Sequence, residues 1–76
     1  MTTIIASGNN RAFVRHNGNY YVVSYSTKMT APETLIFKSD KNGNIANWSD
    51  VGGARHAELD DVLNNMDEYF YNWSQR

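Results

Sequence analysis

The sequence predicts an α+β domain in which an antiparallel β-meander of three to five strands carries one C-terminal amphipathic helix on one face. Three observations predict this fold. The first half contains short runs of aromatic and β-branched residues, which are typical of strands. Asn17-Gly18 separates two of these runs, as in a two-residue hairpin. Apolar residues then recur at three- and four-residue spacing between positions 56 and 73, as on one side of a helix.

Length and composition set further limits. The chain has 76 residues, of which 41% are hydrophobic and 20% charged, so we expect one folded domain, 1–76. No apolar run approaches the ~18 residues that a membrane span needs, and the first residues do not read as a signal peptide. We therefore expect a cytoplasmic protein with no membrane partner. The chain has no cysteine, which excludes disulfides, zinc-thiolate sites and thiol catalysis.

Turn signals divide the first half of the chain into strands. Gly8-Asn9-Asn10 and the segment 40–44 are interpreted as turns, and Pro32 lies in a connection. Asn17-Gly18 favours a type I′ turn because both residues tolerate positive φ. The predicted strands are residues 2–7, 11–16, 19–27, 33–39 and a short edge strand at 45–48.

The second half predicts a loop and a helix. Residues 49–55 are interpreted as a loop in which Gly52 and Gly53 give the backbone freedom before the helix. The helix is predicted over residues 56–73, with acidic residues in its first turns, where they suit the helix dipole. Its apolar stripe consists of Leu59, Val62, Leu63, Met66, Phe70 and Trp73.

Side-chain alternation assigns residues to the two faces of the sheet. We call the face under the helix the helix face and the opposite one the second face. The helix face is expected to collect Ala12, Val14, Tyr21, Val23, Tyr25, Leu35 and Phe37. The second face is a candidate partner-binding surface formed by Arg11, Phe13, Arg15, Tyr20, Val22, Ile36 and Lys38. A change of register by one residue would regroup these residues.

An aromatic second face with basic neighbours has several interpretations. Loops or the N-terminal strand cover it, or it pairs in a homodimer. It is otherwise a hot-spot surface for another protein, or a platform that stacks single-stranded nucleic acid with Arg and Lys on the phosphates. An exposed apolar patch indicates an interaction without naming the partner.

Charge is distributed unevenly along the chain. Residues 1–41 carry five basic and two acidic groups, whereas residues 42–76 carry two basic and six acidic groups. The outer side of the predicted helix is a second candidate partner-binding surface, formed by Asp60, Asp61, Asn64, Asp67 and Glu68. It is either a solvated surface that keeps the protein soluble or an acidic decoy for a basic groove.

The residues that could carry catalysis are few. His16 borders the hairpin turn and His56 the helix start, so we interpret both as turn or cap histidines with satisfied hydrogen bonds. We expect no catalytic residue, no metal site and no cofactor, and hence no enzyme.

One stretch resembles a known class of proteins. It consists of Glu33-Thr34-Leu35-Ile36-Phe37, then Asp40, Gly43, Ile45, Trp48, Asp50-Val51 and Gly52-Gly53. Together with the Asn-Gly hairpin and Tyr20-Tyr21-Val22-Val23-Ser24, it resembles small uncharacterised proteins encoded by bacteriophages, over most of residues 11–73. The resemblance implies an accessory protein that acts in the host cytoplasm, as anti-CRISPR and anti-restriction proteins of this size do.

The function that these observations predict is a non-enzymatic protein-binding module. Its partner would be a host defence or regulatory protein that it inhibits or redirects. The alternatives are a single-stranded nucleic-acid-binding protein that uses the second face and a homodimeric structural protein.

Overall fold

The computed structural model describes residues 2–27, 31–45 and 47–71. Five strands form one antiparallel sheet in which the strands follow the order of the chain. They are β1 (Thr2–Ser7), β2 (Arg11–His16), β3 (Asn19–Ser26), β4 (Glu33–Ser39) and β5 (Asp50–Arg55). Two short helices follow, α1 (Leu59–Asn64) and α2 (Met66–Tyr69). The α+β class and the antiparallel meander are therefore as predicted, with five strands. Neither helix, within the part of the chain that the structure describes, has the length and apolarity needed to cross a bilayer.

The hairpin between β2 and β3 forms as predicted. Asn17 and Gly18 both have positive φ, at 50° and 87°, which is the backbone that a type I′ turn requires. This turn sets the register of the two strands, with Val14 opposite Tyr21 and Phe13 opposite Val22.

The single long helix predicted over residues 56–73 is wrong in its extent. His56 lies in a turn with a φ of 62°, and helical structure begins only at Leu59. Asn65, with φ −137° and ψ 39°, separates α1 from α2. Phe70 is extended because it forms an isolated antiparallel bridge with Gly52, which ends α2. Neither helix is long enough to be the amphipathic helix that was predicted, and Trp73 lies outside the described residues.

The predictions for residues 45–55 are also corrected. Asp50–Arg55 is a strand and not a loop, while Ile45, Asn47 and Trp48 form no strand. Gly52 is required by a close approach rather than by flexibility. A Cβ atom on Gly52 would lie 2.5 Å from the carbonyl oxygen of Tyr69, at the end of α2.

The register of β3 and β4 places residues of β4 on the opposite faces from those predicted. Val22 pairs with Phe37, and Val23 pairs with Ile36. Ile36 is therefore on the helix face, where it is completely buried, and Leu35 and Phe37 are on the second face. The sequence Leu35-Ile36-Phe37 is apolar at every position, so alternation does not distinguish the two registers.

The core lies between the helix face of the sheet and the two helices. Ala12, Val14, Tyr21 and Val23 are buried there as predicted, whereas Tyr25 is only half-buried. The full cluster consists of Ala12, Val14, Tyr21, Val23, Ile36, Val51, Ala57, Val62, Leu63, Met66 and Phe70.

Candidate binding site on the second face

The second face contains most of the residues predicted for it. The hairpin register places Arg11, Phe13 and Arg15 of β2 on the same face as Tyr20 and Val22 of β3. Ile36 and Lys38 are corrected to the helix face, because they pair with Val23 and Tyr21. Ile36 is core, and Lys38 is exposed.

The connection between β4 and β5 folds over part of this face. Gly43 lies over the ring of Phe13, since a Cβ atom on Gly43 would be 3.8 Å from three ring carbons. Trp48 packs edge-on against Phe37, with 5.2 Å between the ring centroids. Val22 and Phe37 are buried as a result, whereas Phe13 and Tyr20 stay half-buried. The second face is thus partly covered by the protein's own loop, one of the interpretations drawn from the sequence.

Asp40 holds the start of this loop in place. Its carboxylate accepts hydrogen bonds from the backbone N–H groups of Asn42 and Asn44, at 2.8 and 2.9 Å. Its backbone N–H donates to the carbonyl of Asn44, and its own carbonyl accepts from the N–H of Gly43. The hydrogen bonds from the Asn44 and Asn42 amides lower the pKa of Asp40, because they favour the charged carboxylate. The turn that places Gly43 over Phe13 is therefore fastened by one ionised side chain.

An open groove remains between the loop and β2. It has a volume of ≈ 490 Å³. Ligand pockets typically occupy roughly 300–1,000 Å³. We call it the Trp48 groove, and its main lining residues are Arg11, Phe13, Val22, Gly43, Ile45 and Trp48. Trp48 is 64% exposed although it is one of the largest apolar side chains of the protein.

The cations beside the groove have no charged partner in the part of the chain that the structure describes. Arg11 and Arg15 are exposed, and neither forms an ion pair with another described residue. Phe13 stacks on Tyr20 between them, with ring centroids 5.9 Å apart. The arrangement presents an aromatic wall, a vacant apolar volume and guanidinium groups that can bind a carboxylate or a phosphate.

The predicted acidic surface is found on the two helices. Asp60, Asp61 and Asn64 of α1 and Asp67 and Glu68 of α2 are all exposed. They lie on the side of the sheet opposite to the Trp48 groove, so the fold separates the acidic helices from the arginines of β2.

Asp67 has a structural contact that the sequence does not reveal. His16 is 4% exposed, and its Nε2 lies 2.8 Å from Oδ1 of Asp67, 51 positions along the chain. With Asp67 ionised, the Nε2–H group donates a hydrogen bond to Oδ1, and Nδ1 accepts a hydrogen bond from the hydroxyl of Thr2, at 2.6 Å. The ring also packs against Phe70, with centroids 5.6 Å apart. His16 thus ties β1, β2 and α2 together.

This hydroxyl–imidazole–carboxylate order is also that of a catalytic triad. Here the carboxylate is the most exposed member, with 69% of the Asp67 side chain accessible, whereas the imidazole is 5% accessible. We therefore interpret the three groups as a structural clasp. The contacts of His16 agree with its interpretation as a histidine with satisfied hydrogen bonds. His56 was interpreted as a turn or cap histidine, and it lies in a turn three residues before α1.

Trp48 is the groove residue that the sequence predicts least well. It was placed in an edge strand, and only its mention in the phage-protein resemblance singled it out. Its exposure follows from the loop between β4 and β5, which no local pattern predicts. Comparison of the chain with protein-family models, curated proteins and solved structures finds no match.

Proposed function

We propose that this protein is a non-enzymatic protein-binding module, and that the Trp48 groove binds an apolar side chain of an acidic partner segment. The observation that carries the proposal is the exposed Trp48 at an apolar groove, beside an arginine that pairs with no described acidic residue.

The apolar part of the site has the composition of a binding hot spot. Tryptophan, tyrosine and arginine dominate the energetics of protein interfaces because they combine large apolar area with a polar group. Trp48 and Ile45 on the loop face Phe13 and Val22 on the sheet across the groove. A partner side chain between these two walls would remove apolar surface of both from water.

The charged part of the site selects an acidic partner. Arg11 lines the groove and Arg15 lies two residues farther along the same face of β2. A guanidinium group pairs with a carboxylate through two parallel hydrogen bonds, which favours aspartate or glutamate next to the inserted apolar side chain. The five-residue acidic surface faces the other way and does not oppose this partner.

Single-stranded nucleic acid is the second candidate because Phe13 and Tyr20 stack between two arginines. Two features favour a protein instead. Lys38, which was expected to bind phosphate on this face, lies on the helix face. Gly43 covers the ring of Phe13, so less of that ring is available to stack on a base.

The biological role that we propose follows from the resemblance to phage proteins alone. The module would inhibit or redirect a host defence or regulatory protein by occupying one of its surfaces. No contact in the structure identifies that protein.

Selection from a random peptide library on the purified protein tests the proposal. We expect enrichment of peptides that combine a large apolar residue with aspartate or glutamate. Isothermal titration should show that Trp48→Ala and Arg11→Glu weaken their binding at least tenfold. Arg55→Glu is the matched control, because Arg55 is an exposed arginine on β5 that does not line the groove.

Two outcomes would overturn this assignment. Selected peptides that bind Trp48→Ala as tightly as the parent protein would show that the groove is not the site. A single-stranded oligonucleotide that binds with a steep salt dependence, while no peptide is enriched, would assign the face to nucleic acid.

A further inference from the structure

We propose that the outer edge of β1 binds an extended basic peptide as a sixth strand, with a lysine or arginine side chain in the groove between β1 and α1. This site is separate from the Trp48 groove and does not depend on it.

The two edges of the sheet differ in how the chain uses them. At β5, Phe70 bridges to Gly52, and the N–H of Tyr71 donates to the carbonyl of Val51 at 3.0 Å. At β1, the inner edge pairs with β2, and no other described strand pairs with its outer edge. A six-residue strand therefore presents its outward N–H and C=O groups to solvent.

β1 also lacks most of the features that keep edge strands from pairing. The segment Thr2–Ser7 contains no charged residue and no proline. Ile4 and Ile5 are 52% and 48% exposed, so the strand offers apolar side chains as well as hydrogen-bonding groups. Its one irregularity is a bulge between Ile4 and Ala6. A bulge limits the pairing register without removing the edge.

A groove that is lined by β1, the turn at residues 7–10 and the start of α1 specifies the chemistry of the added strand. It has a volume of ≈ 400 Å³, and we call it the edge groove. Its apolar walls are Ile4, Tyr25, Leu59 and Leu63, and its acidic members are Glu58 and Asp60.

The two carboxylates of the edge groove have no cationic partner among the described residues. Glu58 and Asp60 are exposed and form no ion pair with another described residue, and no described basic residue lines the groove. A lysine or arginine side chain fits both the apolar and the acidic part of the edge groove. Its aliphatic stem packs on the apolar wall, while its charged group pairs with the carboxylates in water.

A second copy of this chain fits the edge less well. Six strand residues span roughly 20 Å, and at a sheet thickness of about 10 Å the footprint is on the order of 200 Å². A stable dimer buries about 800 Å² on each partner. The β1 strand of a second copy is also uncharged and would leave Glu58 and Asp60 unpaired. A short peptide gains its affinity from main-chain hydrogen bonds along an edge, as in other cases of strand addition.

The test uses three synthetic peptides of roughly eight residues, a typical strand length. The first alternates Thr or Val with Lys, the second has Glu in place of Lys, and the third has Pro at alternate positions. We expect the Lys peptide to bind, by fluorescence anisotropy, and to protect β1 amides from hydrogen exchange. The Pro peptide should not bind, because proline cannot donate to the ladder.

The matched variants locate the basic side chain. Glu58→Gln with Asp60→Asn should weaken binding of the Lys peptide roughly fivefold to tenfold, as expected for two exposed ion pairs. Glu58 makes no side-chain capping hydrogen bond, and Asp61 keeps an acidic residue in the first turn of α1 in this variant. Glu68→Gln is the control, because Glu68 is equally acidic and exposed but does not line the edge groove.

Three results would overturn the inference. The Glu peptide could bind as tightly as the Lys peptide, or the Pro peptide could bind at all. Protection of β1 amides without any peptide, together with a dimer mass by light scattering, would assign the edge to a second copy. None of these results bears on acidic peptides that depend on Trp48, so the two proposals fail separately.

Discussion

Replacing Gly52 with alanine tests whether α2 is held against the edge of the sheet by the absence of a side chain. The new Cβ atom would lie 2.5 Å from the carbonyl oxygen of Tyr69 and 3.0 Å from both the Cδ1 of Ile36 and the Cα of Phe70. Ordinary contact begins at 3.4 Å, so the end of α2 must move away by about 0.9 Å. Two of the three neighbouring atoms belong to the backbone, which cannot rotate aside as a side chain can.

The expected change in the unfolding free energy of Gly52→Ala is the sum of two destabilising contributions and one stabilising contribution. Overpacking costs about 1–3 kcal/mol, and loss of the hydrogen bond from Tyr71 to Val51 costs about 0.5–1.5 kcal/mol. Alanine restricts the unfolded chain, which returns roughly 0.4–1 kcal/mol. The sum is a destabilisation of about 2 kcal/mol. For a domain of this size that corresponds to a fall in melting temperature of roughly 8–16 °C.

Urea and thermal unfolding of Gly52→Ala and of a control variant measure this loss of stability. Gly8→Ala is the matched control, because a Cβ atom there meets nothing within 4 Å and no positive φ is involved. We expect its unfolding free energy to stay within about 0.5 kcal/mol of the parent or to rise slightly. If Gly52→Ala is as stable as Gly8→Ala, the close approach of α2 to β5 is wrong, and the glycine pair serves flexibility after all.

Three further predictions concern side-chain hydrogen bonds. A double-mutant cycle with His16→Ala and Asp67→Ala should give a coupling of about 0.5–1.5 kcal/mol in urea unfolding, and no coupling would contradict the clasp. The hydrogen bond to Asp50 raises the pKa of Tyr71 to about 12, and burial raises the pKa of Tyr21. Of the late ionisations in phenolate absorbance, Asp50→Asn should shift the one that belongs to Tyr71 to lower pH. Because the folded pKa lies above the ordinary 10.0, the stability that this bond contributes is complete below pH 10 and is lost as pH rises through about 12. Asp40→Ala should weaken peptide binding in the Trp48 groove with little change in global stability. Because the pKa of Asp40 is lowered from 3.8, the contribution of its carboxylate is lost as pH falls below that value. The amide chemical shifts of the loop in the parent protein should therefore change in acid.

The parts of the fold that the sequence predicts correctly depend on local chemistry. An Asn-Gly pair favours positive φ at both residues of a two-residue loop, as Asn17 and Gly18 show here. The hairpin and its register therefore follow from two neighbouring residues. The buried positions Val62, Leu63 and Met66 were likewise predicted, because helical spacing persists across the break at Asn65.

The errors lie where contacts between distant segments decide the structure. Apolar residues occupy three successive positions in β4, so the partner strand, and not alternation, places Ile36 in the core. Gly52 and Gly53 have the composition of a loop, yet they belong to β5 and pair with β4. A Cβ atom on Gly52 would meet the end of α2, and one on Gly53 would meet the backbone of β4. The clasp between His16 and Asp67 joins residues 51 positions apart, and no spacing rule connects them.

The same distinction explains the two binding surfaces. The sequence identified the arginines and aromatic residues of β2 and β3, because a hairpin brings them to one face by local rules. It did not identify the groove that makes this face a site, because the groove exists only where the loop carrying Trp48 stands apart from Phe13. Among the described residues, no ion pair is formed by Arg11, beside Trp48 on one face of the sheet, or by Glu58 and Asp60, beside Ile4 on the other. The two proposed surfaces would discriminate between partners by the sign of their charge, since Arg11 lines one groove and Glu58 and Asp60 line the other.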